Sequence, residues 1–125
     1  MLATALAGDG RDGDLARTRL LGEALAAPQL VDLEVVSVLR RLTLVGQLPE
    51  RRGLLALSDR VDLPIRRAPH PPLLKRCWEL RANATTYDAA YVALAELLDV
   101  ALVTADARLA RATGPQCTIE VLSGT

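Results

Sequence analysis

Three carboxylates stand at comparable places along this chain: Glu34, Asp88 and Asp106, each near the start of an expected helix. Acids that converge repel one another until a cation neutralises them, and their oxygens suit hard cations such as Mg2+ or Mn2+. A cation held in this way polarises a phosphodiester and activates water. Each acid also has a plainer reading. A carboxylate in a first helical turn interacts well with the helix dipole, worth ~0.3–1 kcal/mol. Asp88 is the fourth position of a capping box that opens at Thr85, and Asp106 is placed to cap the helix after it. Asp32 is a better cap than Glu34 for its own helix. The pattern by itself therefore does not establish a nuclease.

The element that must position two of these acids is the stretch TTYDAAYVALAELLDVALVTAD, residues 85–106. Ala89, Ala90, Ala93, Leu94, Leu97 and Leu98 form one apolar stripe at helical spacing, predicting a helix over 87–98. Val100 to Val103 is an apolar run of strand length, closed by Thr104, Ala105 and Asp106. In a parallel α/β sheet, sites lie just beyond the carboxyl ends of strands, where Asp106 would then sit.

The rest of the chain alternates in the same way. A short helix is expected over 2–7, a loop at GDGRDGD (8–14), and a helix over 15–26 capped by Asp14 and ended by Pro28. Leu30-Val31 reads as a minimal strand. The helix after it, about 33–45, has Val35, Val38, Leu39, Leu42 and Val45 on one side and Gly46 as its stop. Pro49 suits the first turn of a helix over 49–61, whose exposed-looking face is a candidate for protein contacts. Leu63-Pro64-Ile65 reads as a short edge strand, because its proline cannot donate to a ladder. His70-Pro71-Pro72 precedes a helix with Leu73, Leu74, Cys77, Trp78 and Arg81 down one side and Asn83 at its close. A short helix from Asp106 to Ala112 is stopped by Gly114-Pro115, and Thr118 to Leu122 is the last strand. Strands alternating with helices predict an α/β fold with a parallel sheet covered on both faces. Trp78, Cys77, Tyr87 and Tyr91 read as packing residues, although Tyr91 lies three after Asp88 and can flank the site. His70 reads as structural or exposed, with no Ser or Cys partner for triad chemistry.

Composition bounds the class. A chain of 125 residues, half of them hydrophobic, is long enough for one domain over 1–125 with a single core. That core must be aliphatic, because the chain has no Phe. No apolar run reaches the ~18 residues of a membrane span. The N-terminus lacks the basic region of a signal peptide. Cys77 and Cys117 are too few for a disulfide framework or a zinc site, so a cytoplasmic location without membrane contact is expected. Net charge is zero, yet residues 40–67 carry seven Arg, among them Arg40, Arg41, Arg66 and Arg67. Residues 86–107 carry Asp88, Glu96, Asp99 and Asp106 with no base. A basic half beside an acidic centre suits a polyanion, although these Arg also read as solvated faces. No Gly-rich phosphate loop follows any expected strand, which disfavours a nucleotide-binding domain.

The segments VDLEVVSVLRRL (31–42), ATTYDAAYVALAELLDVALVTADARLARA (84–112) and the closing CTIEVL resemble, in the same order, those of PIN-domain proteins, specifically VapC-like toxins of bacterial toxin–antitoxin pairs. The resemblance implies a three-layer α/β/α sandwich with a mostly parallel central sheet. It implies a Mg2+- or Mn2+-dependent endoribonuclease, a VapB-like antitoxin partner, an RNA substrate and a homodimer. By motif, Glu34, Asp88 and Asp106 match the family's metal-site acids, and Thr104 its small hydroxyl residue beside the last acid. Arg40, Arg41, Arg66 and Arg67 become candidates for RNA phosphates or an acidic antitoxin tail.

One departure stands beside these matches. Members of the family open with a short apolar strand ending in an Asp that is the first metal ligand. Met1-Leu2-Ala3-Thr4 aligns with the helix after it, so the N-terminal strand and its Asp are expected to be missing. Asp9, Asp12 and Asp14 lie in the following loop and are not assigned the role. Met1 is expected to be an internal or misassigned start, with the native chain longer by about ten residues, one strand and a turn. The alternative is a catalytically impaired PIN-like binding module that keeps the dimer and antitoxin surfaces.

Overall fold

The structure, a computed structural model, describes residues 2–3, 24–62 and 64–122, with the backbone alone described at 2–3. The expected loop at 8–14, and most of the helices expected over 2–7 and 15–26, lie outside these residues.

Five parallel strands form one sheet: β1 (Leu2–Ala3), β2 (Leu25–Pro28), β3 (Ile65–Ala68), β4 (Leu102–Thr104) and β5 (Ile119–Val121). Their order across the sheet is β3-β2-β1-β4-β5, and every neighbouring pair is parallel. The described helices are α1 (Leu30–Leu44), α2 (Glu50–Val61), α3 (Leu74–Glu79), α4 (Thr86–Leu98) and α5 (Ala107–Ala110), with a 3-10 turn, Pro71–Leu73, before α3. The crossover through α1 and α2 steps from β2 to β3, and those through α3, α4 and α5 step the opposite way. Right-handed crossovers therefore put α1 and α2 on one face and α3 to α5 on the other, which gives the three layers.

The expectation of a missing first strand is corrected by β1. Leu2 pairs with Ala26 on one side and Leu102 on the other, and Ala3 pairs with Val103. β2 and β4 both present backbone donors and acceptors toward this central place, and two extended residues satisfy part of that demand. Leu2 and Ala3 are therefore strand, where a helix was expected.

β2 replaces the end of the helix expected over 15–26. Leu25-Ala26-Ala27 has helical propensity, but tertiary pairing on both edges overrides it. Ala26 and Ala27 are buried, and Pro28 ends a strand where it was expected to end a helix. The ladder continues one step further, as the Gln29 N–H donates to the Ala68 carbonyl at 3.0 Å.

The minimal strand expected at Leu30-Val31 is instead the first turn of α1, which buries Leu30, Val31 and Val35. Asp32 is not its cap. The Leu30 N–H is taken by Nε2 of His70 at 3.0 Å, a cap supplied from 40 residues away. Gly46, at φ +80°, turns the chain after α1. β3 is an edge strand, as Pro64 suggested, shifted to Ile65–Ala68.

The helix after His70 is phased differently from its expected stripe. Leu73, Cys77 and Leu80 face inward, whereas Leu74 and Trp78 are 57% and 68% exposed. The 3-10 turn advances by three residues per turn, which rotates the phase before α3 begins. Arg81 stacks over the Trp78 ring at 4.5 Å.

α4 begins where expected: Thr85 caps it by accepting the Asp88 N–H at 3.2 Å. It buries Ala89 to Ala95 without a break, so it is packed all round rather than along one stripe. Leu97 and Tyr87, expected inside, are exposed. A largely aliphatic cluster that includes Tyr91 and Cys77 joins α4, β2, β4 and α3. No described helix is long and apolar enough to cross a membrane.

Candidate active site

The strand order has a switch point between β1 and β4: β2 lies beside β1 on one side, and β5 beside β4 on the other. In open parallel sheets the crevice beyond the strand ends at that point is where ligands bind. Glu34 is on the second turn of α1, which follows β2. Asp88 is on the first turn of α4, which runs back antiparallel to the strands and so begins over the same rim. Thr104 ends β4, with Asp106 two residues on.

The charge of Asp88 acts on Glu34 there, and Glu34 is bonded to a residue whose sequence setting suggested packing. The Tyr91 hydroxyl donates to Oε1 of Glu34. Tyr91 is 1% exposed, and its phenol is pushed up by burial, by the hydrogen bond to Glu34 and by the charges of Glu34, Asp88 and Asp32. It therefore stays protonated and remains a donor. Burial pushes the Glu34 carboxyl up, the Tyr91 hydrogen bond pulls it down and the Asp88 charge pushes it up again; the net shift is upward. The one sequence signal for Tyr91 was its place three residues after Asp88, on the same helical face.

Asp106 is held differently. Its backbone N–H donates to Thr104 Oγ1 at 3.1 Å, and Thr104 is 3% exposed, so the turn after β4 is fixed. Its carboxylate caps α5 and faces Arg108: Oδ1 accepts the Arg108 N–H at 2.9 Å and Nε at 3.3 Å. The Arg108 backbone N–H, then its side chain, hold this carboxyl below the usual range. Among the described residues, no three of His, Cys, Asp and Glu stand close enough to share a metal ion. The structure thus unites Glu34 and Asp88, leaving Asp106 turned to its own helix.

The arginines divide as well. Arg67 is committed: Nε donates to Asp32 Oδ2 at 2.7 Å, and its other nitrogens to the Ile65 and Arg60 carbonyls. It ties β3 to the first turn of α1 and the end of α2. Arg40 and Arg41 on α1 and Arg66 on β3 are exposed. The acids' donor atoms are all oxygens, of the kind that hard divalent cations take.

The chain is similar to known proteins along nearly its whole length. A PIN domain family model matches residues 3–115. The chain is 46% identical over 120 residues to the VapC ribonuclease Mb0985 of Mycobacterium bovis and to ribonuclease VapC9 of Mycobacterium tuberculosis, covering 96% of this chain and 94% of each relative. It is 44% identical over 119 residues to ribonuclease VapC1 of Mycobacterium tuberculosis, covering 94% of this chain and 90% of that one. A parallel sheet in the order 3-2-1-4-5, a family model over residues 3–115 and identity along nearly the whole length place the chain in the PIN-domain family, among its VapC-like members.

Proposed function

We propose that this protein is a Mg2+- or Mn2+-dependent endoribonuclease, the toxin of a toxin–antitoxin pair, acting in the cytoplasm as a homodimer of single PIN domains and restrained by a VapB-like antitoxin. The observation that carries the reading is the pairing of Glu34 and Asp88 at the switch point of the sheet. Two partly desolvated carboxylates in mutual repulsion are an arrangement that a divalent cation relieves. The relatives' names, ribonucleases of the VapC group, supply the substrate class.

Such a cation, when bound, polarises the scissile phosphodiester and makes water a competent nucleophile near neutral pH. Glu34 and Asp88 would hold it through their carboxylate oxygens. Among the described residues the Asp88 carboxylate takes no hydrogen bond, so it is also free to orient the attacking water. Thr104 keeps the Asp106 backbone fixed at the end of β4. Asp106 would be the third acid on leaving Arg108, which is 84% exposed and holds it weakly. Arg40, Arg41 and Arg66 are the candidates for RNA phosphates or an acidic antitoxin tail. Arg67, spent on Asp32, acts through the placement of α1.

The test is RNA cleavage with Mg2+ or Mn2+, beside an EDTA control and Asp88→Asn. Cleavage abolished by both supports the nuclease. Cleavage that survives both refutes it. One observation favours a second reading, a catalytically impaired binding module: Asp106 faces Arg108, and no three described acids converge. That reading predicts tight association with a VapB-like antitoxin and no cleavage under any metal condition.

A further inference from the structure

We propose that Tyr91 is a positioning residue of this site: its hydroxyl latches the Glu34 carboxylate so that the second carboxylate oxygen is presented beside Asp88. The inference rests on the metal-site reading above and assigns a role to a side chain outside the acid set.

Three observations carry it. First, the Tyr91 hydroxyl donates to Oε1 of Glu34 across 57 residues of sequence. The bond joins α4 in one layer to α1 in the other at the rim of the sheet. Secondly, Tyr91 is 1% exposed in a cluster of Ala, Leu and Val. A phenylalanine would fill such a place equally well, and a buried phenol is retained where its hydroxyl has a partner. Thirdly, Asp88 stands three residues before Tyr91 on the same helix, so one helical face carries both an acid and the donor that holds the other acid.

The physical need for a latch follows from the charges. Glu34 and Asp88 repel, and a glutamate side chain has three rotatable torsions through which to escape toward water. A donor fixed on a buried ring opposes that escape. It occupies one carboxylate oxygen and leaves the other for a cation. Outer hydrogen bonds of this kind orient ligating carboxylates, and losing one typically weakens metal binding about 10–100-fold.

The experiment compares full-length wild type, Tyr91→Phe and Asp88→Asn by calorimetric titration with Mn2+. Cleavage kinetics and metal-free melting curves accompany it. The expected result for Tyr91→Phe is a folded protein whose Mn2+ dissociation constant rises about 10–100-fold, with kcat reduced and the KM for RNA unchanged. In EDTA, Tyr91→Phe and Glu34→Ala should be non-additive in melting temperature, since each removes one partner of the same bond. Equal Mn2+ affinity in a folded Tyr91→Phe, or strict additivity with Glu34→Ala, would overturn the latch and leave Tyr91 a packing residue. Absence of Mn2+ binding by wild type would overturn the metal-site reading itself, and the latch with it; the two failures differ in whether wild type binds.

Discussion

The strongest test of how this fold is held together lies on the side of α4 away from the site. Glu96 accepts Arg76 Nε on Oε1 at 2.7 Å, and on Oε2 both an Arg76 terminal nitrogen at 3.1 Å and the Gln116 backbone N–H at 2.7 Å. Arg76 also donates to the Gly114 carbonyl at 2.8 Å. This ties α3, α4 and the loop before β5 together. Glu96→Gln keeps the shape, but an amide can accept with one end only, so its NH2 must face a donor. Exposed pairs contribute ~0.2–1 kcal/mol, and breaking a buried pair costs about 3–5 kcal/mol. With the two side chains 16% and 26% exposed, the loss belongs between these limits, at about 2 kcal/mol. A chain of 125 residues has an unfolding entropy of about 0.26 kcal/mol/K, so the melting temperature should fall by about 8 °C at pH 7. The pH dependence has a definite sign. Burial pushes the Glu96 carboxyl up, but Arg76 and the Gln116 N–H more than reverse this and hold it below the usual range. Stability from a lowered carboxyl is complete above its unfolded value and is lost as pH falls through the folded one. The gap between wild type and Glu96→Gln should therefore be widest near neutrality and close in acid. Melting curves from pH 3 to 7 decide it. A shift under about 2 °C at pH 7 would show a solvent-screened surface pair; a gap constant down to pH 3 would show that the ionised form is not what stabilises.

Two further outcomes follow from the same structure. Gly114→Ala should cost about 1–3 kcal/mol in denaturant unfolding, because Gly114 sits at φ +106° and an added Cβ would stand 3.1 Å from both Leu80 and Asn83 side-chain atoms. Glu34→Gln should stabilise the metal-free protein by roughly 0.5–2 kcal/mol at pH 7 while abolishing cleavage, as relief of a strained functional residue does. Its carboxyl is raised by burial and by Asp88, so wild type is the relatively more stable in acid and loses ground as pH rises; melting in EDTA at pH 4 and 7 measures this.

Which parts were legible in the sequence depended on whether the deciding force was local. The Thr85 cap, the helix over 86–98, the Gly46 turn, the edge character after Pro64 and the Asp106 cap all rest on contacts within a few residues, and each is present. β2 was read as helix because Leu-Ala-Ala carries no strand signal; its pairing with β1 and β3 is remote. The α3 stripe was misphased by a 3-10 turn that Pro71-Pro72 imposes, and this placed Trp78 inside when it is exposed. Arg67 read as a solvated cation because its partner, Asp32, lies 35 residues away. Tyr91 was indistinguishable from a packing aromatic until Glu34 was seen beside its hydroxyl.

The same distinction explains why three acids of similar sequence setting do not form one cluster. Glu34 follows β2 and Asp106 follows β4, and the sheet order puts β1 between them. Two strand spacings separate β2 from β4 by about 9.6 Å, so these carboxylates come within the ~4–5 Å at which two share one Mg2+ only if their side chains turn toward each other, and Asp106 is turned to Arg108 instead. Asp88 is placed differently: it is on α4, in the opposite layer, and its charge acts on Glu34 across the rim. Asp106 has no such route; it must give up the α5 cap, a bond worth ~1 kcal/mol, and turn toward the end of β1. A cation that draws Asp106 inward should therefore loosen α5. The sign to look for is faster amide exchange at Arg108, whose N–H is bonded to the Asp106 carboxylate in the metal-free protein, with saturating diamagnetic Mg2+ compared with EDTA. Unchanged protection there, with Mg2+ bound, would mean that Glu34 and Asp88 hold the ion without the third acid.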